Sequence, residues 1–113
     1  MTEPTLFHIV EKSRWDEAVA VGRYAPESLA SEGFVHCSYA GQVEPVANAL
    51  YRNASDLVVV ELDSALLDVP VVVEDTYGTG TAYPHVYGPI SVRAQIGEHA
   101  LVRRADGGWT LVS

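Results

Sequence analysis

The hydrophobic pattern of this sequence changes near Asn53, and the change restricts the folds that the chain can adopt. Before it, apolar residues recur at helical spacing over residues 14–21 and again over 43–51, which is typical of helices that bury one face. After it, the valine-rich runs 57–62 and 71–74 are typical of short strands buried on at least one face. Helices early and strands late predict an α+β fold with two to three short helices and a largely antiparallel sheet.

The other predicted elements follow from capping residues, turn residues and short apolar runs. Ser13 is predicted to cap the first helix and Gly22 to end it. Pro45 is compatible with the second long helix only because it falls in the first turn. In chain order, the sequence further predicts a strand at 5–10, a helical turn at 27–31, a strand at 34–37, a helical turn at 64–67, a loop at 77–83, strands at 92–96 and 99–104, a turn at 106–108 and a last strand at 109–112.

The length and charge of the chain exclude several classes of protein. Its 113 residues are predicted to form one domain, 1–113. No apolar run approaches the roughly 20 residues of a membrane-spanning helix, so no membrane partner is expected. Fifteen acidic and seven basic side chains leave a net charge of −8, and the basic residues are scattered. Because nucleic-acid binding depends on clustered Lys and Arg at phosphates, no nucleic-acid partner is expected either.

Cysteine usage bears on the compartment and on nucleophilic catalysis. Cys37 is the single cysteine, so an internal disulfide is impossible. The start Met-Thr-Glu-Pro has no basic segment followed by an apolar stretch, which predicts no secretory signal and a cytoplasmic location. No nucleophile motif surrounds Cys37 and Ser38. Cys37 is therefore predicted to be an inert apolar residue, and Ser38 a helix cap or a pocket hydroxyl.

Three of the four histidines, His8, His36 and His85, stand among apolar or aromatic neighbours. On a strand, successive side chains point to opposite faces, so His8 and His36 each interrupt a face that is otherwise apolar. A buried imidazole without partners destabilises a fold by roughly 1–3 kcal/mol. Each histidine is therefore predicted either to have a structural hydrogen-bond partner or to line a cavity, and the three together favour one shared concave site. His99 is predicted to be an ordinary surface residue.

Metal binding at these histidines is an alternative that the spacing does not favour. The imidazoles of His8, His36 and His85 could combine with the carboxylate of Glu61 or Glu74 in a site of the zinc type. No pair of these residues has the local spacing of a metal motif, so no metal ligand is predicted.

Several residues and strings follow one another in a fixed order: His8 on the first strand, Trp15, Gly22-x-Tyr24, Ser28-Leu29, Glu32-Gly33-Phe34-Val35-His36-Cys37-Ser38, Gln42, Ala47-Asn48 and Pro84-His85-Val86-Tyr87-Gly88-Pro89. Together they resemble the bacterial "domain of unknown function 952" family over residues 6–108. The resemblance implies an ADP-ribosyltransferase-like fold, whose members bind NAD across a split sheet. It places His8 at the first active-site position and His36 at the second, and it leaves the third open among Glu61, Glu74 and His85.

The function expected from this resemblance is that of an ADP-ribosyltransferase-like enzyme acting on NAD or a related nucleotide, with an unknown acceptor. The alternatives are a non-catalytic module that binds a nucleotide or metabolite, and a structural or partner-binding protein. In the first two cases, His36→Ala and His8→Ala should abolish binding while melting close to the wild type. The expected catalytic residues are His8, His36 and His85, and the expected ligand-binding residues are Ser38, Tyr39, Tyr87, Arg14 and Gln42.

Overall fold

The structure is a computed structural model that describes residues 5–112, so the expectation about the Met1–Pro4 start lies outside the described residues. The helices are α1 (Lys12–Val21), α2 (Glu27–Ser31) and α3 (Val43–Leu50). The strands are β1 (Thr5–Glu11), β2 (Arg23–Tyr24), β3 (Val35–His36), β4 (Leu57–Asp63), β5 (Val71–Glu74), β6 (Tyr83–Val86), β7 (Ile90–Ser91), β8 (Gln95–Arg103) and β9 (Trp109–Val112). Single 3₁₀ turns lie at Ala40–Gln42, Ser64–Leu66 and Val92–Ala94.

The strands form separate antiparallel sheets, which confirms the predicted α+β class with few short helices. The large sheet has the order β1-β4-β8-β9, and the small sheet has the order β3-β6-β5. Strands β2 and β7 form a third, two-stranded sheet. Backbone hydrogen bonds of 2.8 Å run in both directions between Phe7 of β1 and Ser38, just after β3. These two bonds join the large sheet to the small one.

Strands β1 and β4 are buried on both faces because both carry apolar side chains on each side of the sheet, whereas Ile96 and Val102 of β8 are exposed. On one face, Leu6 and Val10 pack with Trp15 of α1 and with residues of the small sheet. On the other face, Ile9 packs with α3 and with Trp109 of β9. The sequence period of two thus supplies two core clusters, one on each side of the sheet.

The helices agree with the predicted segments, and one predicted cap is wrong. Helix α1 begins at Lys12, with Glu11 before it and no side-chain cap, so Ser13 lies inside the helix. The chain leaves β1 and enters α1 directly, because the Lys12 N–H is bonded to the Asp56 carbonyl at 2.9 Å. Gly22 ends the helix as predicted, with φ of 97°. No helix in the described part of the chain has the length and hydrophobicity needed to cross a bilayer.

Two strand predictions need correction. The predicted strand at 92–96 is a 3₁₀ turn followed by the start of β8, because the Ser91 hydroxyl accepts the Arg93 N–H and closes the turn. The strand predicted at 34–37 is shorter, at Val35–His36, although the Cys37 N–H also bonds to the Pro84 carbonyl of β6 at 3.1 Å. Strand β5 forms where expected, but Val72 and Val73 are 41% and 52% exposed. Strand β5 is the edge strand of the small sheet, so it has a neighbouring strand on one side only.

Gly88 lies where the chain turns from β6 towards β7, and it has no room for a side chain. A Cβ placed on Gly88 would be 2.5 Å from Cγ1 of Val69. We expect Gly88→Ala to reduce the free energy of unfolding by roughly 1–3 kcal/mol, because the half-buried Val69 would have to shift. Gly41→Ala is the control, since a Cβ there meets nothing within 4 Å. Equal urea midpoints for the two variants would contradict this prediction.

Candidate functional site

A cavity of about 720 Å³ opens beside the junction of the large and small sheets. Its apolar wall comes mainly from α3, with Ile9 of β1 behind it. Its polar wall comes from the small sheet, the segment that follows β3, and the 75–82 loop between β5 and β6. The polar side chains that line it are His36, Ser38, Tyr51, Tyr77, Thr79, Thr81, Tyr83 and His85. A volume of this size is typical of small-molecule sites.

His36 and His85 are brought together by strand pairing. They are directly opposite each other in the antiparallel pair β3–β6, so their side chains leave the same face of the small sheet. Their ring centroids are 5.4 Å apart and the rings are nearly perpendicular, at 75°. Both side chains line the cavity.

His85 is held by a carboxylate and by an aromatic ring. Its Nδ1 lies 2.9 Å from Oε2 of Glu74, and because an ionised carboxylate only accepts, Nδ1 carries the proton. The Tyr87 hydroxyl donates to the same Glu74 oxygen. Phe34 stacks on the imidazole with centroids 4.0 Å apart. The other ring nitrogen, Nε2, has no hydrogen-bond partner among the described residues. Since no described side-chain nitrogen or oxygen is both sealed from solvent and without a partner, Nε2 is the atom that His85 presents to the cavity.

His36 has a similar arrangement on a more exposed site. Its Nε2 is 2.8 Å from Oε1 of Glu32, and the Tyr77 hydroxyl donates to the other oxygen of that carboxylate. The Tyr77 ring lies nearly parallel to the imidazole, with centroids 6.2 Å apart. These hydrogen bonds, from Tyr77 first and then from His36, hold the pKa of Glu32 below its usual range. Glu32 is therefore an anionic acceptor at neutral pH, and Nδ1 of His36 takes no part in this hydrogen bond.

The 75–82 loop is a wall of the cavity with its own anchors. The Asp75 carboxylate accepts the backbone N–H groups of Gly80 and Thr79 at 2.8 and 2.9 Å, which lowers the pKa of Asp75. At the other end, the Gln42 amide donates to the Ala82 carbonyl at 3.0 Å. Gln42 also accepts the N–H of Tyr39. Gln42 therefore anchors the loop and Tyr39 holds the Gln42 amide through its backbone, and neither residue lines the cavity.

His8 does not line the main cavity, and both of its ring nitrogens are hydrogen-bonded. Nδ1 is 2.7 Å from the His36 carbonyl oxygen, which only accepts, so Nδ1 donates. Nε2 therefore accepts the Tyr24 hydroxyl at 2.8 Å. Burial lowers the pKa of His8 to about 4 and raises the pKa of Tyr24, so both groups stay neutral. His8 borders a smaller cavity of about 360 Å³, which His36 also lines. Of the three histidines predicted to share one site, His36 and His85 line the main cavity and His8 does not.

The remaining predicted residues have different environments. Ser38 lines the main cavity but caps no helix, since Tyr39 is the residue that precedes the 3₁₀ turn. Tyr87 acts on Glu74 from outside the cavity lining. Arg14 borders the smaller cavity and forms a 3.4 Å ion pair with Glu11.

Among the candidates for a third position, Glu74 joins His85 at the cavity, whereas Glu61 is bonded to His99 on the large sheet. His99 is 23% exposed at its side chain, more buried than predicted.

Burial raises the pKa of Cys37 to about 12, as expected for an inert thiol. No cluster of three metal-ligating side chains occurs within residues 5–112.

Glu32, Phe34 and Tyr77 belong to the site but were not predicted from the sequence as parts of it. Glu32 precedes His36 by four positions in the Glu32–Ser38 string, so its spacing was an available signal. Tyr77 had no comparable signal, because it approaches His36 only through the path of the 75–82 loop.

Comparisons with known proteins identify a family and two similar solved structures. The family described as "Protein of unknown function (DUF952)" matches residues 9–96. The chain is similar to the crystal structure of protein CC0527 from Caulobacter crescentus, with a TM-score of 0.81, 30% identity and coverage of 94% of this chain and 93% of that one. The solution NMR structure of CC0527 gives a TM-score of 0.70, 25% identity and coverage of 92% and 90%. No curated protein matches the sequence significantly.

Proposed function

The chain belongs to the DUF952 family, and we propose that its main cavity binds a ligand with a nucleoside moiety and that His36 and His85 perform acid–base chemistry on it. One observation carries the proposal: two imidazoles on paired strands, each hydrogen-bonded to a carboxylate, face one cavity that has an apolar wall. The apolar wall suits a flat ring, and the imidazoles suit sugar hydroxyls.

The protonation states define what each histidine does. His85 donates Nδ1–H to Glu74, so its Nε2 has a lone pair that can take a proton from a hydroxyl. The Glu74 carboxylate would stabilise the imidazolium that results, as a carboxylate does behind a catalytic histidine. His36 donates Nε2–H to Glu32 and presents Nδ1 in the same way. With two such imidazoles at one cavity, one can accept a proton from the reacting hydroxyl while the other hydrogen-bonds to the sugar and orients it.

NAD is the first substrate to test, as the resemblance to ADP-ribosyltransferases implies. The cavity beside the junction of two sheets supports this, because such enzymes bind NAD across a split sheet. In the transfer, the bond between the ribose carbon and the nicotinamide nitrogen breaks, and its electron pair leaves with nicotinamide. A new bond forms from the acceptor oxygen to the same carbon, and the acceptor's proton goes to Nε2 of His85.

A non-catalytic binding module is the second candidate. It is favoured by the apolar character of the α3 wall and by the existing hydrogen bonds of both histidines, which would hold a ligand without further change. Release of nicotinamide from NAD separates the two candidates. Turnover supports the enzyme, and binding without turnover supports the module.

We expect His36→Ala to weaken binding of NAD or adenosine by tenfold or more while lowering the melting temperature by only a few degrees. The loss in affinity corresponds to one hydrogen bond of about 1.5–3 kcal/mol to a charged or polarised group. Stability changes little because the His36 side chain is 36% exposed and water can replace it. The measurement is a melting curve with and without each ligand, followed by titration calorimetry.

His99→Ala is the matched control for this experiment, since His99 also pairs with a glutamate but lies away from the cavity. Ligand shifts that are equal in wild type and His36→Ala would contradict the role of His36. The absence of any ligand shift in the wild type would overturn the proposed function.

A further inference from the structure

The ionisable groups around the main cavity are unevenly distributed. Within residues 5–112, no lysine or arginine lines the cavity, and none is hydrogen-bonded to a residue that lines it. Its two histidines are the basic side chains that face it, and each is already paired with a glutamate. A phosphate entering the cavity would therefore find no arginine or lysine, the side chains that usually neutralise it.

Three carboxylates stand directly behind the lining residues. Glu32 is bonded to His36 and Tyr77, Glu74 to His85, and Asp75 to Thr79. The hydrogen bonds that these carboxylates accept lower the pKa of each, so all three are ionised at neutral pH. The polar wall thus carries negative charge, and a single lining side chain separates each carboxylate from the cavity.

The smaller cavity does not reverse this charge. Arg14 is its one guanidinium among the described residues, and Glu11 lies 3.4 Å away. Glu27 also borders that cavity. An anionic group that extended from the main cavity past His36 would meet two carboxylates and one arginine. The protein's net charge of −8 adds to the repulsion.

We infer that the site selects an uncharged or singly positive compound of ring and sugar over its phosphorylated form, and that the phosphates of a larger ligand must lie in solvent. The inference rests on the proposed function, because it assumes that the cavity binds a nucleoside moiety. It adds the charge class of the ligand, which the geometry of the histidines does not determine.

The test compares matched pairs that differ only by a phosphate: adenosine against adenosine monophosphate, and nicotinamide riboside against nicotinamide mononucleotide. At about 50 mM salt we expect the phosphorylated member of each pair to bind roughly tenfold more weakly than the other. The reason is that its phosphate is repelled by the carboxylates that stand one side chain behind the cavity wall. At about 500 mM salt the difference should fall to roughly threefold or less, because the charges are screened. Affinities are measured by titration calorimetry on the full chain.

Two variants test whether the carboxylates behind the polar wall cause the difference in affinity between the members of a pair. Glu32→Gln removes a carboxylate behind the polar wall and should narrow the difference at low salt. Glu17→Gln removes the same charge from the exposed face of α1 and should leave it unchanged. Equal or tighter binding of the phosphorylated members at low salt would overturn the inference while leaving the proposed function intact. Failure of both pairs to bind would overturn the inference, and a further lack of response to NAD would overturn the proposed function as well.

Discussion

Replacing His8 with alanine is expected to lower the free energy of unfolding by roughly 3 kcal/mol or more. The change leaves the His36 carbonyl and the Tyr24 hydroxyl without their partner in the interior, at about 1–3 kcal/mol for each unpaired group. It also opens a cavity beneath β1. This expectation replaces the one drawn from the sequence, under which the His8 variant melts close to the wild type.

Urea unfolding at pH 7 measures the effect, and Tyr24→Phe is its control. That variant removes only the hydroxyl that donates to His8, so it should lose less, about 1–2 kcal/mol. A loss below about 1 kcal/mol for His8→Ala would show that His8 does not have the structural role assigned to it.

Acidification should destabilise the protein by about 2 kcal/mol between pH 7 and pH 5 through His8 alone. Its pKa is about 4 in the folded protein because of burial, whereas the pKa of a histidine in an unfolded chain is about 6.5. In this pH window the unfolded chain binds a proton that the folded chain refuses, so stability falls as the pH falls. Each unit of pH below 6.5 removes about 1.4 kcal/mol until the folded pKa is reached.

His8→Gln isolates this contribution, since its amide does not titrate. The slope of unfolding free energy against pH should be clearly flatter in that variant between pH 7 and 5. The carboxylates with lowered pKa, among them Glu32 and Glu74, add their own losses only as the pH falls further. Parallel slopes in wild type and His8→Gln would show that His8 titrates normally in the fold.

Helical segments were predictable because their determinants are local. Gly22 ends α1 through its own left-handed conformation, and Pro45 fits the first turn of α3. The exposure of β5 was not predictable in the same way. Valine at 72 and 73 favours a strand, but whether a strand face is covered depends on neighbours elsewhere in the chain.

The candidate site was predictable in its histidines and not in their roles. Strand alternation marks His8 and His36 as polar interruptions of apolar faces, and it does so equally for both. The two histidines differ in what covers them. Tyr24 of β2 is hydrogen-bonded to His8 and buries it, whereas the 75–82 loop leaves His36 beside a cavity. The DUF952 membership predicted from the motifs is confirmed, and it carries no residue roles that could separate the two.

The two backbone hydrogen bonds between Phe7 and Ser38 have a consequence for the site. Within the described residues they are the only bonds between two backbone groups that link β1 to the segment after β3, and the His8 imidazole adds a hydrogen bond to the His36 carbonyl at 2.7 Å. The two sheets therefore meet along a short stretch of chain, with the cavity beside it. His36 lies two residues before Ser38, so the junction that joins the sheets also positions one imidazole of the cavity wall.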